Sequence, residues 1–517
     1  MRPQPIPAAP DGGPQAPDSP QRLVGVLLST STTPAKTRAV LVLVCVAQFM
    51  LLVDDTIVNL ALPSISEELD LTGAGLSWVN NAYFLTFGGF LLIGGRLADA
   101  VGRRRLFAIS MVAFVAASLL CGMADNAAVL ISARGIQGTA GAMLSPAALA
   151  ILLATFRQPA ERARALGSWA ALTGLGAATG LLAGGALVEL TDWRWIFWIN
   201  LPIGVAALFL LPRLVAPDVR DGRKSSTDIA GALMATAALL LLVYTVVETE
   251  KHGWSSHRTL ASFALVVILL AGFAARQLTV KDPLVPRALF RTRSVLYADL
   301  TVLVAASGLF AMFFFLTLYM QQVLGWSALR SGLSYLPFTV AMGAGSAISA
   351  KLLQTRWGSV PLYTGSVVAA IGLWMMSDLD AKSEYATALV PALVAVGFGL
   401  GTAFVPVMAA ATGGSGEGGG GIASALMTTC QQIGGALSIA ALATVATARS
   451  EDLVRDGTPP GEAVVEGFSH AFHIQAGVLA SATILGALLA LALRREKSRE
   501  ESAEAISGQE VVSGRIR

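Results

Sequence analysis

The chain has 517 residues, of which 54% are hydrophobic and 13% are charged. Soluble domains carry roughly 25% charged residues, so this composition excludes an ordinary soluble protein and predicts an all-α protein that crosses a membrane many times. The net charge of +3 is too small to indicate a nucleic-acid partner. The three cysteines lie inside apolar runs, without the spacing of a disulfide framework or a metal site.

The first part of the chain is rich in proline and contains no apolar segment of the kind found in signal peptides. Such a composition cannot bury enough apolar surface to fold by itself. We therefore predict a disordered cytoplasmic tail over residues 1–37.

A membrane-spanning helix needs about 20 mostly apolar residues, and this template predicts fourteen spans. They lie near residues 39–62, 77–98, 106–124, 128–154, 165–188, 195–212, 228–247, 259–277, 296–320, 329–353, 360–377, 385–408, 422–446 and 472–493. The connecting loops alternate between basic, as at 103–105, and acidic, as at 67–70. Because cytoplasmic loops hold most Lys and Arg, this alternation predicts an even number of spans and two cytoplasmic termini.

A weak internal repeat supports a two-part organisation, since Gly95–Arg103 is echoed by Ala350–Gly358 after the tenth span. Transporters are commonly built from such repeated halves. We predict an N-terminal six-helix half, two inserted helices with cytoplasmic linkers, a C-terminal six-helix half and a charged cytoplasmic tail. Their predicted bounds are 38–212, 213–294, 295–494 and 495–517.

The loop after the second span combines glycines, arginines and one aspartate. Glycine permits a tight turn, and Asp99 can accept hydrogen bonds from backbone donors at a helix N-terminus. The spacing predicts a latch that holds the cytoplasmic side closed. Its residues are Gly95, Arg96, Asp99, Gly102, Arg103 and Arg104.

Charged residues also occur inside two predicted spans. Asp54 and Asp55 lie in the first span and Arg134 in the fourth, and ionisable groups in hydrocarbon mark functional sites. At 1.5 Å per residue, Asp54 and Arg134 lie at roughly the same depth below the outer face. An arginine at that depth keeps its charge and needs an acceptor, so the sequence predicts that Asp54 is its partner.

The fifth span contains a series of glycines, which allow membrane helices to pack closely. The series consists of Gly167, Gly176, Gly180, Gly184 and Gly185.

These stretches of the loop and of the first, fourth and fifth spans resemble the major facilitator superfamily. Within it they resemble the fourteen-helix drug:proton antiporter branch of multidrug and antibiotic efflux proteins. The resemblance extends from about Lys36 to Arg495. It implies proton coupling through Asp54, Asp55 and Arg134, and an antiporter motif in the fifth-span glycines. One departure is Leu181, where the family usually has proline.

The resemblance implies a proton-coupled secondary transporter that exports hydrophobic drugs, antibiotics or secondary metabolites by alternating access. Such a protein would reside in the bacterial cell membrane as a monomer, with protons, a small hydrophobic or amphipathic substrate and lipid as its partners. We expect no catalytic activity and no cofactor, because the sequence has neither a Walker loop nor a clustered catalytic set. The alternatives are a symporter that imports a small polar solute and a non-transporting membrane sensor or enzyme.

Polar residues in other spans are candidates for the substrate cavity. They are Asn59, Gln137, Tyr319, Gln322 and Gln431. Asp299, near the cytoplasmic end of the ninth span, is expected to be a solvated residue of the helix's first turns.

Overall fold

The computed structural model describes residues 34–71, 73–156, 158–218, 228–280, 283–284, 293–353, 355, 357–413 and 416–514. All regular secondary structure in these ranges is helical, which confirms the all-α prediction. The predicted N-terminal tail lies outside the described residues up to residue 33, and the first helix begins at Pro34.

The described chain forms sixteen α-helices and two short π-helical segments. The first nine helices are α1 (Pro34–Leu69), α2 (Gly73–Val101), α3 (Arg103–Gly122), α4 (Ala127–Thr155), α5 (Pro159–Leu190), α6 (Trp195–Trp198), α7 (Asn200–Leu214), α8 (Ile229–His252) and α9 (His257–Thr279). The others are α10 (Arg293–Leu318), π1 (Tyr319–Val323), α11 (Ala328–Ser334), α12 (Leu336–Leu353), α13 (Val360–Met376), π2 (Tyr385–Leu389), α14 (Val390–Gly413), α15 (Gly416–Arg455) and α16 (Pro460–Gly514).

The helix boundaries follow from local chemistry. Gly102 separates α2 from α3 with a φ of 100°, a backbone conformation that L side chains rarely adopt. Asn126 caps α4 by accepting a hydrogen bond from Val129 N at 3.0 Å, and Ser256 caps α9 in the same way. These caps place the turns where the sequence predicts loops.

Twelve helices within the described residues are long and apolar enough to cross a membrane. Two shorter apolar segments, Thr179–Leu190 within α5 and Val360–Met376 of α13, overlap the predicted spans 165–188 and 360–377. The count of fourteen spans therefore stays a prediction. These two segments, added to the twelve long helices, would make up that number. The last helix continues from Pro460 to Gly514, beyond the predicted end of the fourteenth span.

The helices pack in two groups that meet mainly along two helix pairs. In the first group α1 contacts α4, α5 and α7, and α2 packs along α4; in the second, α10 contacts α14, α15 and α16. The groups meet where α2 packs on α15 and α5 packs on α11. Helix α8 contacts both α2 and α15, so the inserted pair lies beside this junction.

Candidate functional site

The first group of helices encloses an ion pair that is fully shielded from solvent. Arg134 Nη1 of α4 lies 2.8 Å from Asp54 Oδ2 of α1, and neither side chain is exposed. The other carboxylate oxygen, Oδ1, accepts hydrogen bonds from Gln137 Nε2 at 2.8 Å and from Asn200 Nδ2 at 2.7 Å. The ion pair predicted from depth alone is thus present, with two amide donors added to it.

Arg134 is held by backbone and aromatic contacts as well. Its Nε donates to Val79 O at 3.2 Å, and Nη1 also donates to Gln137 Oε1 at 2.7 Å. The guanidinium carbon lies 4.2 Å from the ring centroid of Tyr83, within the range of a cation–π interaction. Its Nη2 has no hydrogen-bond partner among the described residues. Because the planar guanidinium uses several donors in fixed directions, lysine cannot reproduce this arrangement.

Ser118 of α3 completes the network. Its hydroxyl accepts from Gln137 Nε2 at 3.1 Å and from Asn200 Nδ2 at 2.9 Å, and it donates to Phe197 O at 2.9 Å. Neither Ser118 nor Asn200 was predicted from the sequence. A neutral polar residue in a span gives a weak signal, because its relevance depends on which neighbouring helix it faces.

Asn200→Ala is expected to lower the stability of the folded protein by about 1.5–3 kcal/mol, since it removes a hydrogen bond to a charged group in a buried network. The variant should also slow transport, because Asp54 loses one of its two amide donors. Thermal unfolding of the purified protein measures the first effect. Thr364→Ala is the control, since Thr364 is exposed and its hydroxyl donates only within its own helix. Equal unfolding temperatures for both variants would contradict the assignment.

Asp55 occupies a different environment from Asp54. Its side chain is half-buried, and its Oδ1 is buried without a hydrogen-bond partner among the described residues. Gln432 of α15 interacts with the same carboxylate. Asp55 therefore faces the junction between the two helix groups, whereas Asp54 is enclosed within the first.

The fifth-span glycines pack α5 against α1 beside these two aspartates. A Cβ at Gly176 would lie 2.7 Å from Leu52 Cβ, one at Gly180 would lie 3.1 Å from Val53 O, and one at Gly184 would lie 2.8 Å from Ile57 Cγ1. Gly167 lies outside the part of the chain whose packing is described. The close approach explains why glycine recurs at one-turn intervals on this face.

Gly185 makes a contact of a different kind, with the second group of helices. A Cβ there would lie 2.6 Å from Ala328 O and 2.8 Å from Leu329 Cα of α11. Nearby, Glu189 Oε2 accepts from Leu329 N at 2.9 Å, and Gln321 Nε2 donates to Leu60 O at 3.1 Å. These contacts join the two groups at the ends of α1 and α5 that the basic-loop pattern assigns to the outer face.

The predicted latch residues lie at the turn between α2 and α3. Arg104 N and Arg105 N donate to Asp218 at 3.3 and 3.2 Å, so Asp218 provides the carboxylate at this helix N-terminus. Arg96 Nη2 donates to Pro283 O in the linker after the inserted helices. The side chain of Asp99 lies outside the described residues. Gly95 and Arg103 are exposed, and Gly102 provides the turn.

Hydrogen bonds are described for three of the five residues predicted to line the substrate cavity. Asn59 accepts from Asn80 Nδ2 at 3.0 Å, and Gln137 belongs to the Asp54 network. Tyr319 donates to Asp380 O at 2.5 Å. Gln322 is exposed and Gln431 half-buried.

Known proteins match this chain over most of its length. Residues 44–439 match the family model described as Major Facilitator Superfamily. The chain is 38% identical over 481 residues to the puromycin resistance protein pur8 of Streptomyces alboniger, covering 92% of this chain and 95% of the relative. It is 37% identical over 419 residues to the cephamycin export protein CmcT of Amycolatopsis lactamdurans, covering 80% of this chain and 86% of that protein.

A solved structure shows the same fold. A bacterial homolog of the human lysosomal transporter Spinster, in an inward-facing and unoccupied conformation, aligns with a TM-score of 0.64 at 16% identity. The alignment covers 90% of this chain and 98% of that one. At this identity the likeness concerns the fold alone.

Proposed function

The chain belongs to the Major Facilitator Superfamily, and from this premise we propose that it exports amphipathic antibiotics or related small molecules in exchange for protons. It is a polytopic membrane transporter of that family, as the sequence predicted. The names of its relatives, which include proteins for puromycin resistance and cephamycin export, support the direction of transport and the class of substrate. The buried Asp54–Arg134 pair is the observation that carries the proposal of proton coupling.

Exclusion of water favours the neutral form of Asp54, whereas Arg134 and the two amide donors favour its carboxylate, and this opposition allows the side chain to bind and release a proton. Protonation would neutralise the carboxylate and weaken its attraction to Arg134, while deprotonation would restore the pair. Because interactions between charges strengthen where water is excluded, a single proton can shift the packing of α1 against α4. We propose that this shift accompanies the exchange between outward-open and inward-open conformations.

The arrangement of the halves belongs to the same proposal. We propose that residues 38–212 and 295–494 move relative to each other in a monomer in the bacterial cell membrane, with residues 213–294 beside their junction. The junction contacts α2–α15 and α5–α11 support this division. Helix pairs at such an interface are where alternating access takes place.

Efflux from intact cells tests the proposal. Cells expressing the protein and loaded with puromycin should export it, and export should stop when a protonophore dissipates the proton gradient. Depletion of ATP with the gradient maintained should leave export intact. Export that survives the protonophore and stops on ATP depletion would overturn the proposal.

Topology provides a separate prediction, because both termini are proposed to be cytoplasmic. Arg105 and Asp456 are exposed at opposite ends of the helices. In a protein whose Cys45, Cys121 and Cys430 have been replaced, Asp456→Cys should react with an impermeant maleimide in intact cells. Arg105→Cys should react only after lysis. The reverse pattern would show that the orientation is wrong.

A further inference from the structure

A second carboxylate is buried in the other group of helices. Asp299 of α10 is 6% exposed, and its Oδ1 has no hydrogen-bond partner among the described residues. The prediction that this residue is solvated is therefore wrong. It lies six residues after Arg293, where α10 begins, and is already enclosed by neighbouring helices.

The surroundings of Asp299 are apolar. The adjacent Ala298 and Val302 belong to a buried cluster with residues of α13, α14, α15 and α16, namely Leu362, Val407, Ala410, Ala411, Met427, Leu489 and Ala490. The thiol of Cys430 in α15 interacts electrostatically with Asp299. Tyr297 and Tyr363 pack on the same cluster. No ion pair joins Asp299 to a Lys or Arg in the described ranges, so nothing there balances a negative charge.

Cys430 belongs to a polar segment of α15, residues 429–432, that reaches both helix groups. Thr429 Oγ1 donates to Gly88 O of α2 at 3.0 Å, and a Cβ at Gly88 would lie 3.1 Å from Gln432 Cβ. Gln432 interacts with Asp55 of α1. One turn of α15 therefore interacts with Asp55 through Gln432 and with Asp299 through Cys430.

We propose that Asp299 is a second proton-binding residue of the transport cycle, a role that rests on the proposed proton-coupled export. In the conformation described here, Asp299 holds its proton as a neutral carboxylic acid, because no cation of the described residues forms an ion pair with it and its side chain is buried. When α15 shifts relative to α2, the carboxylic acid gains access to water and releases the proton as H⁺, leaving a carboxylate. Each substrate molecule would then exchange for two protons, one from Asp299 and one from the site near Arg134.

Proton counting in proteoliposomes tests the proposal. With puromycin as the probe, the ratio of protons to substrate would be obtained from the initial rates of proton flux and puromycin flux measured in the same proteoliposomes. Asp299→Asn should lower this ratio about twofold, while Thr364→Ala, at an exposed position of α13, should leave it unchanged. An unchanged ratio in Asp299→Asn would overturn the inference. Absence of coupled proton movement in the wild-type protein would instead overturn the proposed function.

Infrared spectroscopy keeps the inference testable if Asp299→Asn does not fold. The purified wild-type protein in a maltoside detergent should show a carboxylic-acid carbonyl band that persists at neutral pH. Asp299→Glu should shift that band, because the longer side chain places the carboxylic acid among different neighbours. A spectrum with no such band, or with a band that Asp299→Glu leaves in place, would contradict a protonated Asp299.

Discussion

Asp54→Asn is expected to abolish gradient-driven export in proteoliposomes while leaving some substrate binding. The amide keeps the shape of the carboxylate but carries no charge and does not exchange a proton. It also leaves Arg134 buried without its ion-pair partner. Breaking one side of a buried pair costs about 3–5 kcal/mol of stability, so Asp54→Asn and Arg134→Gln should each lower the unfolding temperature.

The double variant Asp54→Asn/Arg134→Gln separates coupling from folding. Because it removes both charges, its unfolding temperature should recover part of what each single variant loses. Gradient-driven export should nevertheless remain absent, because the proposed conformational exchange requires a proton to bind at position 54 even where Asp299 still binds one. Asp55→Asn, at the half-buried neighbour, should reduce export less. Uphill export by a well-folded double variant would show that Asp54 does not couple transport to protons.

Gly185→Val is expected to lower export strongly without unfolding the protein. The new side chain would meet Ala328 O and Leu329 Cα, which are backbone atoms and cannot move aside as a flexible side chain would. Overpacking of this kind costs about 1–3 kcal/mol. The cost applies only when α5 and α11 are in contact, so conformations with the outer ends apart should become about 5- to 150-fold more populated.

Labelling can detect that shift. A cysteine can be introduced at the same junction with Gln321→Cys, since the native side chain donates a hydrogen bond to Leu60 O. Its reaction with an impermeant maleimide from outside should be faster in the Gly185→Val background. Gly343→Val is the matched control, because a Cβ at Gly343 has no neighbour within 4 Å. Labelling and export indistinguishable from this control would refute a role for Gly185 in outer closure.

The fold could be predicted because hydrophobic span length and the side of the basic loops are properties of local sequence. The Asp54–Arg134 contact could be predicted too, since counting residues from the span ends gives depth, and a charged residue in hydrocarbon needs a partner. The direction in which each side chain points around its helix could not be predicted in this way. It determines that Asn200 joins the network, that Gln322 is exposed, and that Asp299 is buried.

The remaining differences between prediction and structure lie where segments distant in sequence pack against each other. The glycines of α5 were predicted to pack closely, but only the placement of α11 distinguishes Gly185, which faces the second helix group, from Gly184, which faces Ile57. Likewise, Asp218 is distant in sequence from the turn at Gly102, so its contact with the start of α3 depends on the path of the linker after α7.

Proton release on substrate addition tests the central claim most directly. Purified protein in a weakly buffered detergent solution would be mixed with puromycin while the pH is followed. The wild-type protein should release protons as it binds the substrate, and Asp54→Asn should bind with reduced release. Binding by the wild-type protein with no release of protons would contradict proton coupling. Release that persists in Asp54→Asn and is lost in Asp55→Asn would assign the coupling to the other carboxylate.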